Sequence, residues 1–205
     1  MSSTTPNQTM SFNTTSADDK LTCTDFVDFG DNSERFGRIS WTKIEKNGAN
    51  MKFLDIQAKL FKKDSQGEFR MCQKIGMGER DFNDFMRMKN ELVIAVAEFR
   101  KLQNLQPAPE NFTRDMEDQL KMMHQVYNVV DQPHRKIYVT MLRYKVDNPD
   151  STYVQIRLFG KMQKDGNFVQ ITYVNYKQQE FLHLLDIMDY SYAQIINNKR
   201  VSIDM

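Results

Sequence analysis

Cations and aromatic rings alternate with aliphatic residues in two extended segments of the chain. Phe53 to Phe61 reads FLDIQAKLF, and Tyr153 to Lys161 reads YVQIRLFGK. Because successive side chains of a β-strand point to opposite faces, one face of each segment is predicted to be aliphatic and the other to carry rings and cations. Rings that stack on bases, beside cations that contact phosphates, are typical of proteins that hold single-stranded nucleic acid. The alternative is a solvated face with cross-strand aromatic pairs.

The alternation assigns a face to each side chain of the two segments. The inward, aliphatic face is predicted to hold Leu54, Ile56, Ala58 and Leu60, and in the second segment Val154, Ile156 and Leu158. The outward face is predicted to hold Phe53, Asp55, Gln57, Lys59 and Phe61, and in the second segment Tyr153, Gln155, Arg157, Phe159 and Lys161. The same mixture on two segments favours a ligand-binding face over a merely solvated one.

The candidate nucleic-acid-binding residues are the basic, aromatic and amide side chains on these strands and on the elements beside them. They are Arg38, Trp41, Lys43, Lys46, Lys52, Gln57, Lys59, Phe61, Lys62, Arg70, Lys74, Arg135, Arg143, Lys145, Tyr153, Arg157, Phe159, Lys161, Lys164 and Tyr173. Each stacked base contributes on the order of 1–3 kcal/mol. The cations add an attraction to phosphate that weakens as the salt concentration rises.

Residue patterns typical of catalysis or metal binding are not recognisable in the sequence. His124, His134 and His183 are scattered, and no group of cysteines and histidines has metal-ligand spacing. Gly76-Met77-Gly78 lacks the lysine and hydroxyl residue of a phosphate-binding loop. No serine or cysteine has a recognisable base arrangement. We therefore expect a protein that is not an enzyme and uses no cofactor and no metal.

The formal net charge of +1 hides an alternation of charge along the chain. Residues 38–77 hold nine basic and four acidic side chains, and residues 135–177 hold eight basic and three acidic ones, so each block has a net charge of +5. The segments before, between and after these blocks are net acidic. Two separate positive surfaces are the expected footprint of polyanion binding.

Targeting and membrane signals are not visible in the sequence. The N-terminus has neither a basic start nor an apolar segment, and the apolar run Leu92 to Ala97 is far shorter than the roughly 18 residues of a membrane span. Cys23 and Cys72 suffice for one disulfide at most, and nothing indicates an oxidising compartment. We expect no membrane contact and a nuclear or other intracellular location, which for a viral protein would be the host nucleus or a virus factory.

The chain contains an internal repeat. A shift of 100 residues places Phe53 onward on Tyr153 onward, and after a one-residue gap in the turn a shift of 99 places Phe69 on Phe168. The apolar pattern matches over about thirty positions and continues through the helix that follows. Chance similarity between two ordinary hairpins is the less favoured alternative.

Each copy is predicted to form strands followed by a helix, which gives an α+β fold. The strands are predicted at Arg38 to Ile44, Phe53 to Phe61 and Phe69 to Ile75, and at Lys136 to Lys145, Tyr153 to Lys161 and Phe168 to Tyr176. One long helix is predicted from Asp84 to Gln106, and a linking helix from Arg114 to Asn128. The predicted segments are a disordered acidic leader (1–34), a first repeat (35–106), a helical linker (107–134) and a second repeat (135–205).

Five features follow one another in the first copy. They are Phe36-Gly37, Leu54-Asp55-Ile56, the turn Asp64 to Gly67, the basic strand Arg70 to Lys74, and Phe82 at the start of a helix. In this order they resemble the DNA-binding domain of the positive cofactor four family of transcriptional coactivators. The match covers about fifty residues, and the second copy gives a weaker one. The tandem arrangement is also similar to the whirly single-strand-binding proteins, although their lysine-glycine signature is missing.

The resemblance implies a ββββα fold for each copy, with a curved four-stranded antiparallel sheet crossed by a helix. It further implies that the tandem copies form an intramolecular pseudo-dimer with the helices packed together. The family's binding positions correspond in the first copy to Gln57, Leu60 or Phe61, Arg70 and Lys74, and in the second to Arg157, Phe159 or Gly160, Val169 and Tyr173. Because the two sets differ, equal contributions from the two copies are in doubt.

We therefore expect a single-stranded DNA-binding protein that acts in transcription regulation or in DNA replication, including as a viral protein of that type. RNA and melted duplex are alternative ligands, and transcription or replication proteins and further copies of the chain are expected partners. The alternative hypothesis is a protein-interaction adaptor that dimerises and binds other proteins through its sheet faces. An adaptor would expose an apolar patch rather than need two basic blocks on matching hairpins.

Overall fold

The computed structural model describes residues 11–14, 20–30, 33–46, 52–102, 126–143, 152–162 and 166–201. Side chains are described for residues 26–30, 33–42, 55–102, 127–143, 152–162 and 166–190. These parts of the chain form an α+β fold with two antiparallel sheets, each followed by helix. This agrees with the tandem arrangement expected from the sequence.

The first sheet has five strands in sequential order. They are β1 (Ser11–Thr14), β2 (Lys20–Phe29), β3 (Arg35–Lys46), β4 (Lys52–Lys63) and β5 (Phe69–Gly78). Two helices follow, α1 (Glu79–Arg87) and α2 (Lys89–Lys101).

The second sheet has four strands, also in sequential order. They are β6 (Val126–Gln132), β7 (Arg135–Arg143), β8 (Thr152–Lys161) and β9 (Phe168–Lys177). The helix α3 (Gln178–Val201) follows directly. The six strands predicted from the sequence are confirmed as β3, β4, β5, β7, β8 and β9, with ends that differ by a few residues.

Two predictions of the segment boundaries are wrong. The leader was expected to be disordered up to residue 34, but β1 and β2 lie in it. Phe26 and Asp28 of β2 alternate with Val27 and Phe29, which are buried against the rest of the sheet, so the segment has the pattern of a half-buried strand. The second repeat begins earlier than residue 135, because β6 adds a strand before it.

The helices also differ from the expectation. The single helix predicted from Asp84 is two helices that meet at Met88, whose N–H donates to the carbonyl of Phe85 at 3.1 Å instead of continuing the regular ladder. The predicted linking helix lies outside the described residues up to 125. Its last three residues, 126–128, belong to β6, where valine and tyrosine favour a strand.

The inward face of each sheet forms the core. Ile56, Ala58 and Leu60 on β4 are buried, as are Val154, Ile156 and Leu158 on β8, which confirms the predicted faces. The helices pack on these faces through Phe82, Phe85 and Leu92, and through Phe181, Leu184 and Leu185. All of them belong to one continuous hydrophobic cluster, so the two repeats share a single core.

The strand register corrects the sequence alignment of the repeats. Both sheets have a bulge in the last strand pair, next to Leu60 in the first and next to Leu158 in the second. Leu60 therefore corresponds to Leu158, a shift of 98 residues along β4 rather than 100. Lys59 then corresponds to Arg157, and Phe61 to Phe159. The connection between the first two of these strands is two residues shorter in the second repeat, and the next turn is one residue longer there, whereas the sequence alignment made it one residue shorter.

An acidic side chain caps the helix that follows each sheet. Asp81 Oδ2 accepts a hydrogen bond from the backbone N–H of Gly78 at 3.2 Å, and Glu180 Oε2 accepts one from the N–H of Lys177 at 2.7 Å. A carboxylate in the first helical turn also interacts favourably with the helix dipole. Both carboxylates are buried.

Each of these carboxylates pairs with an arginine of the other repeat. Arg35 binds Glu180 through Nε and Nη2, at 2.7 and 2.6 Å, and Arg135 Nε lies 2.7 Å from Asp81 Oδ2. The same arginines also donate to backbone carbonyls, Arg35 to that of Asn175 and Arg135 to that of Gly76. Arg35 and Arg135 occupy equivalent repeat positions, so the two contacts are reciprocal.

Replacement of Arg35 by Met tests this contact. Glu180 has a side chain that is only 7% exposed, so the variant leaves a buried carboxylate without its counter-charge. We expect the free energy of unfolding, measured by urea denaturation, to fall by about 3–5 kcal/mol. Arg87→Met is the matched control: Arg87 is 79% exposed in its pair with Asp84, and its loss should cost less than about 1 kcal/mol. Equal losses in the two variants would contradict the assignment.

Gly37 allows a close approach between β2 and β3. A Cβ atom at this position would lie 2.1 Å from the ring of Phe29, which is buried and packs on Tyr176 with ring centroids 5.4 Å apart. The ring cannot move away without opening the core. The glycine that contributed to the family resemblance thus has a packing role here.

We expect Gly37→Ala to destabilise the protein by about 1–3 kcal/mol, as overpacking of a core does. Gly160→Ala is the control, because the Cβ would meet only the end of the exposed Ile171 side chain, at 2.5 Å, and that side chain can rotate. Thermal melts followed by circular dichroism compare the two variants. A Gly160→Ala variant that is as unstable as Gly37→Ala would contradict this explanation.

Candidate nucleic-acid interface

Three cations lie side by side on the outward face of the first sheet. Arg38 on β3 pairs in register with Lys59 on β4, and Lys59 pairs with Lys74 on β5. Directly opposed residues have Cβ atoms about 4.5–5.5 Å apart, and like charges at such positions destabilise a sheet. We call Arg38, Lys59 and Lys74 the cation row.

An apolar row lies beside the cation row. Phe36 on β3 pairs with Phe61 on β4, and Phe61 pairs with Met71 on β5. The rings of Phe36 and Phe61 are stacked, with centroids 4.8 Å apart and an interplanar angle of 3°. We call Phe36, Phe61 and Met71 the apolar row.

Two further rings border the rows. The edge contact between Phe69 and Phe36 has a centroid distance of 5.0 Å. The guanidinium of Arg38 lies 4.0 Å from the ring centroid of Phe26 and 5.1 Å from that of Phe61. Rings and cations therefore alternate on this face, as the sequence predicted for β4.

One carboxylate forms an ion pair with the cation row within the described side chains. Asp28 accepts two hydrogen bonds from Arg38, at 2.5 and 2.8 Å. Lys59 Nζ donates to the hydroxyl of Ser40 at 3.0 Å, and the side chain of Lys74 is exposed. The face consequently carries an excess of positive charge.

The pKa of Lys59 is lowered in the free protein. Burial is the main cause, the charge of Arg38 lowers the pKa further, and the smaller lowering by Lys74 is exceeded by the opposite effect of Asp55. An anion bound to the cation row would raise the pKa of Lys59, which is opposite to the effect of the neighbouring cations. The charge pattern is thus unfavourable in the free protein and favourable with a bound anion.

The second sheet has a different side-chain set at the equivalent positions. Tyr138, Arg157 and Tyr173 occupy the positions of the cation row. Arg157 is 1% exposed, donates from Nε to Gln170 Oε1 at 2.8 Å and lies 4.9 Å from the centroid of the Phe159 ring. Phe159 is also 1% exposed. The prediction that these two side chains face solvent is wrong.

Three other candidate residues are engaged in contacts within the protein. Trp41 points inward and is buried in the core. Arg143 is buried and donates to the carbonyls of Phe99 and Leu102 at the end of α2. Arg135 holds Asp81, as described above. For Trp41 and Arg143 the prediction of an open binding face is wrong, because residue type and block charge alone do not separate a surface side chain from one that packs in the core or satisfies carbonyls. Arg135 is 33% exposed beside Asp81.

The other candidates fall into three groups. Lys62, Arg70, Lys74, Lys161 and Tyr173 are exposed, and Gln57 and Tyr153 are half-buried. Arg70 pairs with Asp64 at 2.5 Å, and Gln57 donates to Asp55 at 2.6 Å. The side chains of Lys43, Lys46, Lys52, Lys145 and Lys164 lie outside the described residues.

Sequence reasoning missed the rings and the carboxylate on β2 and at the start of β3. Phe26 and Asp28 lie in the segment that was interpreted as a leader, and Phe36 lies just before the predicted strand. The alternation of Phe26 and Asp28 with buried Val27 and Phe29 was the signal that could have identified β2. Phe36 lies two residues before Arg38 on β3, so its side chain points to the same outward face.

A groove of about 440 Å³ lies where the edge strands β5 and β9 approach each other. It is lined by Met71, Cys72, Gln73, Lys74, Gln170, Ile171, Thr172 and Tyr173. Cys72 and Ile171 are the extra residues of the two bulges, so the groove is built from equivalent positions of the two repeats. We call it the central groove.

No model of a known protein family matches the chain, and no curated protein matches its sequence. Within the described residues, none of the helices has the length and apolar composition needed to cross a membrane. The site must therefore be interpreted from its own chemistry.

The cation row predicts a pH dependence of anion binding. The pKa of Lys59 is lowered in the free protein, and a bound anion would raise it. The affinity for an anionic ligand should therefore be highest below the lowered pKa, where Lys59 is charged, and should fall as the pH rises through that pKa. The measurement is an oligonucleotide titration from neutral pH toward pH about 10.4, the pKa of free lysine.

Lys59→Arg is the control for this titration. Arginine keeps the charge and does not deprotonate in this range, so the variant should lose most of the fall in affinity. A profile that is identical in the two proteins would contradict a role for Lys59.

Proposed function

We propose that this protein binds single-stranded nucleic acid, with single-stranded DNA as the first candidate, on the outward face of its first sheet. The observation that carries the proposal is the cation row beside the stacked rings of the apolar row. The row places like charges at directly opposed positions, which destabilises a sheet. Phosphates of a bound strand would neutralise them.

The rings favour a single strand over a duplex. A base with an exposed face can lie on Phe36, Phe61 or Phe69, whereas the bases of a duplex are stacked on each other and have no free face. Phe69 has the most exposed ring among those that contact the row.

We further propose that the two repeats form an intramolecular pseudo-dimer of the type found in the positive cofactor four family. The reciprocal pairs Arg35–Glu180 and Arg135–Asp81 support it, because a two-fold axis relates a contact to its own copy. The contact of Lys89 on α2 with Asp186 on α3, at 3.6 Å, supports the packing of the helices. Roles in transcription regulation or replication, and a nuclear location, remain proposals that follow from this resemblance.

Only one of the two sheets would then carry the ligand on its face. The equivalent residues of the second sheet, Arg157 and Phe159, are buried. We therefore propose one strand per chain, bound mainly by the first repeat, in place of two equal halves.

The alternative function is that of a protein-interaction adaptor. Val93 and Ile94 on α2 have exposed side chains, of which Ile94 is the more exposed at 59%. Met71, Ile171 and Tyr173 form a second exposed apolar set, at the central groove. An exposed apolar patch is what an adaptor needs, but an adaptor does not need the cation row beside it. The charge pattern of the first sheet is better explained by a polyanion.

The deciding experiment is a fluorescence-anisotropy titration with single-stranded DNA, duplex DNA and single-stranded RNA at two salt concentrations. Lys59→Gln with Lys74→Gln removes two phosphate contacts, so the slope of log affinity against log salt should decrease by about 1.4 for a single strand. Arg80→Gln with Lys101→Gln, two exposed cations on the helices, is the control and should leave the slope nearly unchanged. An unchanged slope in the Lys59 and Lys74 variant, with native circular dichroism, would refute the proposed face.

A further inference from the structure

The central groove lies where both rows of the first sheet reach the second sheet. Lys74 ends the cation row, Met71 ends the apolar row, and both residues line the groove. The opposite side is formed by Gln170 and Tyr173 of β9. A strand that follows the rows across the first sheet therefore leads into the groove.

Two glutamine amides in the groove have a fixed orientation. Gln73 Oε1 accepts a hydrogen bond from the backbone N–H of Asn175 at 2.9 Å, and Gln170 Oε1 accepts one from Nε–H of Arg157 at 2.8 Å. Both partners can only donate, so each amide must present its oxygen to them. The NH₂ group of each glutamine is then what it offers to a ligand.

The remaining polar groups of the groove are also donors or are already bonded. The ammonium of Lys74 is a donor without an acceptor. The hydroxyl of Thr172 donates to the carbonyl of Lys74 at 2.9 Å, and the thiol of Cys72 donates to the carbonyl of Leu60 at 3.3 Å. The hydroxyls of Tyr173 and Thr172 can also accept a hydrogen bond, but donors outnumber acceptors, so a ligand rich in acceptors fits the groove best.

The walls of the groove are apolar and solvent-exposed. Met71 is 46% exposed and Ile171 is 60% exposed, and the ring of Tyr173 lies beside them. Side chains of this kind pack against the face of a flat ligand. The combination of apolar walls with these donors fits a planar group that carries carbonyl oxygens.

We propose that the central groove binds one pyrimidine base with two carbonyl groups, thymine or uracil, of the strand held on the first sheet. This inference rests on the proposed function and adds a base preference to it. The amides of Gln73 and Gln170 donate to the O2 and O4 carbonyls, and Lys74 contacts a flanking phosphate. Cytosine has an amino group at the position of O4, so this donor would face the NH₂ donor of a glutamine.

The test compares homo-oligonucleotides of about 15 nucleotides, dT, dU and dC, at one salt concentration, a length within the range that such sheets contact. We expect dT and dU to bind roughly 10-fold more tightly than dC, which is the discrimination typical of one well-formed base contact. Similar affinities for dT and dU would show that the carbonyls, and not the methyl group, are recognised. Equal affinities for dT and dC would overturn the inference and leave the proposed function intact, whereas no binding of any of the three would overturn both.

Two isosteric substitutions test whether the preference for dT comes from the groove or from the oligonucleotide itself. Gln73→Glu with Gln170→Glu keeps the oxygens that accept from Asn175 and Arg157 but replaces both NH₂ donors by acceptors. The ratio of dT to dC affinity should fall to about 1 or invert. Gln66→Glu with Gln179→Glu adds the same charge at exposed positions outside the groove and should preserve the ratio.

The outcome that would overturn the inference is a ratio that stays at roughly 10-fold in the Gln73 and Gln170 variant. The preference would then come from the weak stacking of thymine in the free strand, which also favours pyrimidine runs. If the double variant does not retain its native circular dichroism, each single substitution gives the same comparison, with about half of the effect on a logarithmic scale.

Discussion

Two buried carboxylates, Asp81 and Glu180, connect the start of a helix to the other repeat. Each accepts a backbone N–H at its own helix start and pairs with an arginine that belongs to the opposite sheet. A buried carboxylate is tolerated only when its charge is compensated, so each helix can begin correctly only when the other repeat is in place. The position of the two sheets, and with it the groove between β5 and β9, follows from this mutual dependence.

The repeats share a backbone but differ in the side chains around one cation. Lys59 lies between Arg38 and Lys74, and its face is partly open to water. Its counterpart Arg157 lies between Tyr138 and Tyr173, donates to Gln170 and is buried together with Phe159. The first sheet thus concentrates charge on a face that reaches solvent, whereas the second has one buried cation between two rings.

The alternation of residues was sufficient to predict the faces of β4 and β8, the α+β class and the repeat. It could not predict the burial of Arg157, because the covering of a sheet face depends on contacts between segments distant in sequence. The shift of two residues along β4 arose in the same way: the sequence offers several alignments with equal parity, and only the bulges beside Leu60 and Leu158 fix one. The reciprocal ion pairs were also beyond the sequence, since Arg35 and Glu180 are separated by 145 residues.

The two bulges differ in one respect that concerns redox chemistry. The bulge residue of the first repeat is Cys72, whose thiol is exposed, and that of the second is Ile171. An assembly of two identical repeats would place a thiol on each side of the groove, where oxidation could join them. Because isoleucine stands at one of these positions, the groove has a single thiol, so it cannot be closed by a disulfide between its own two walls.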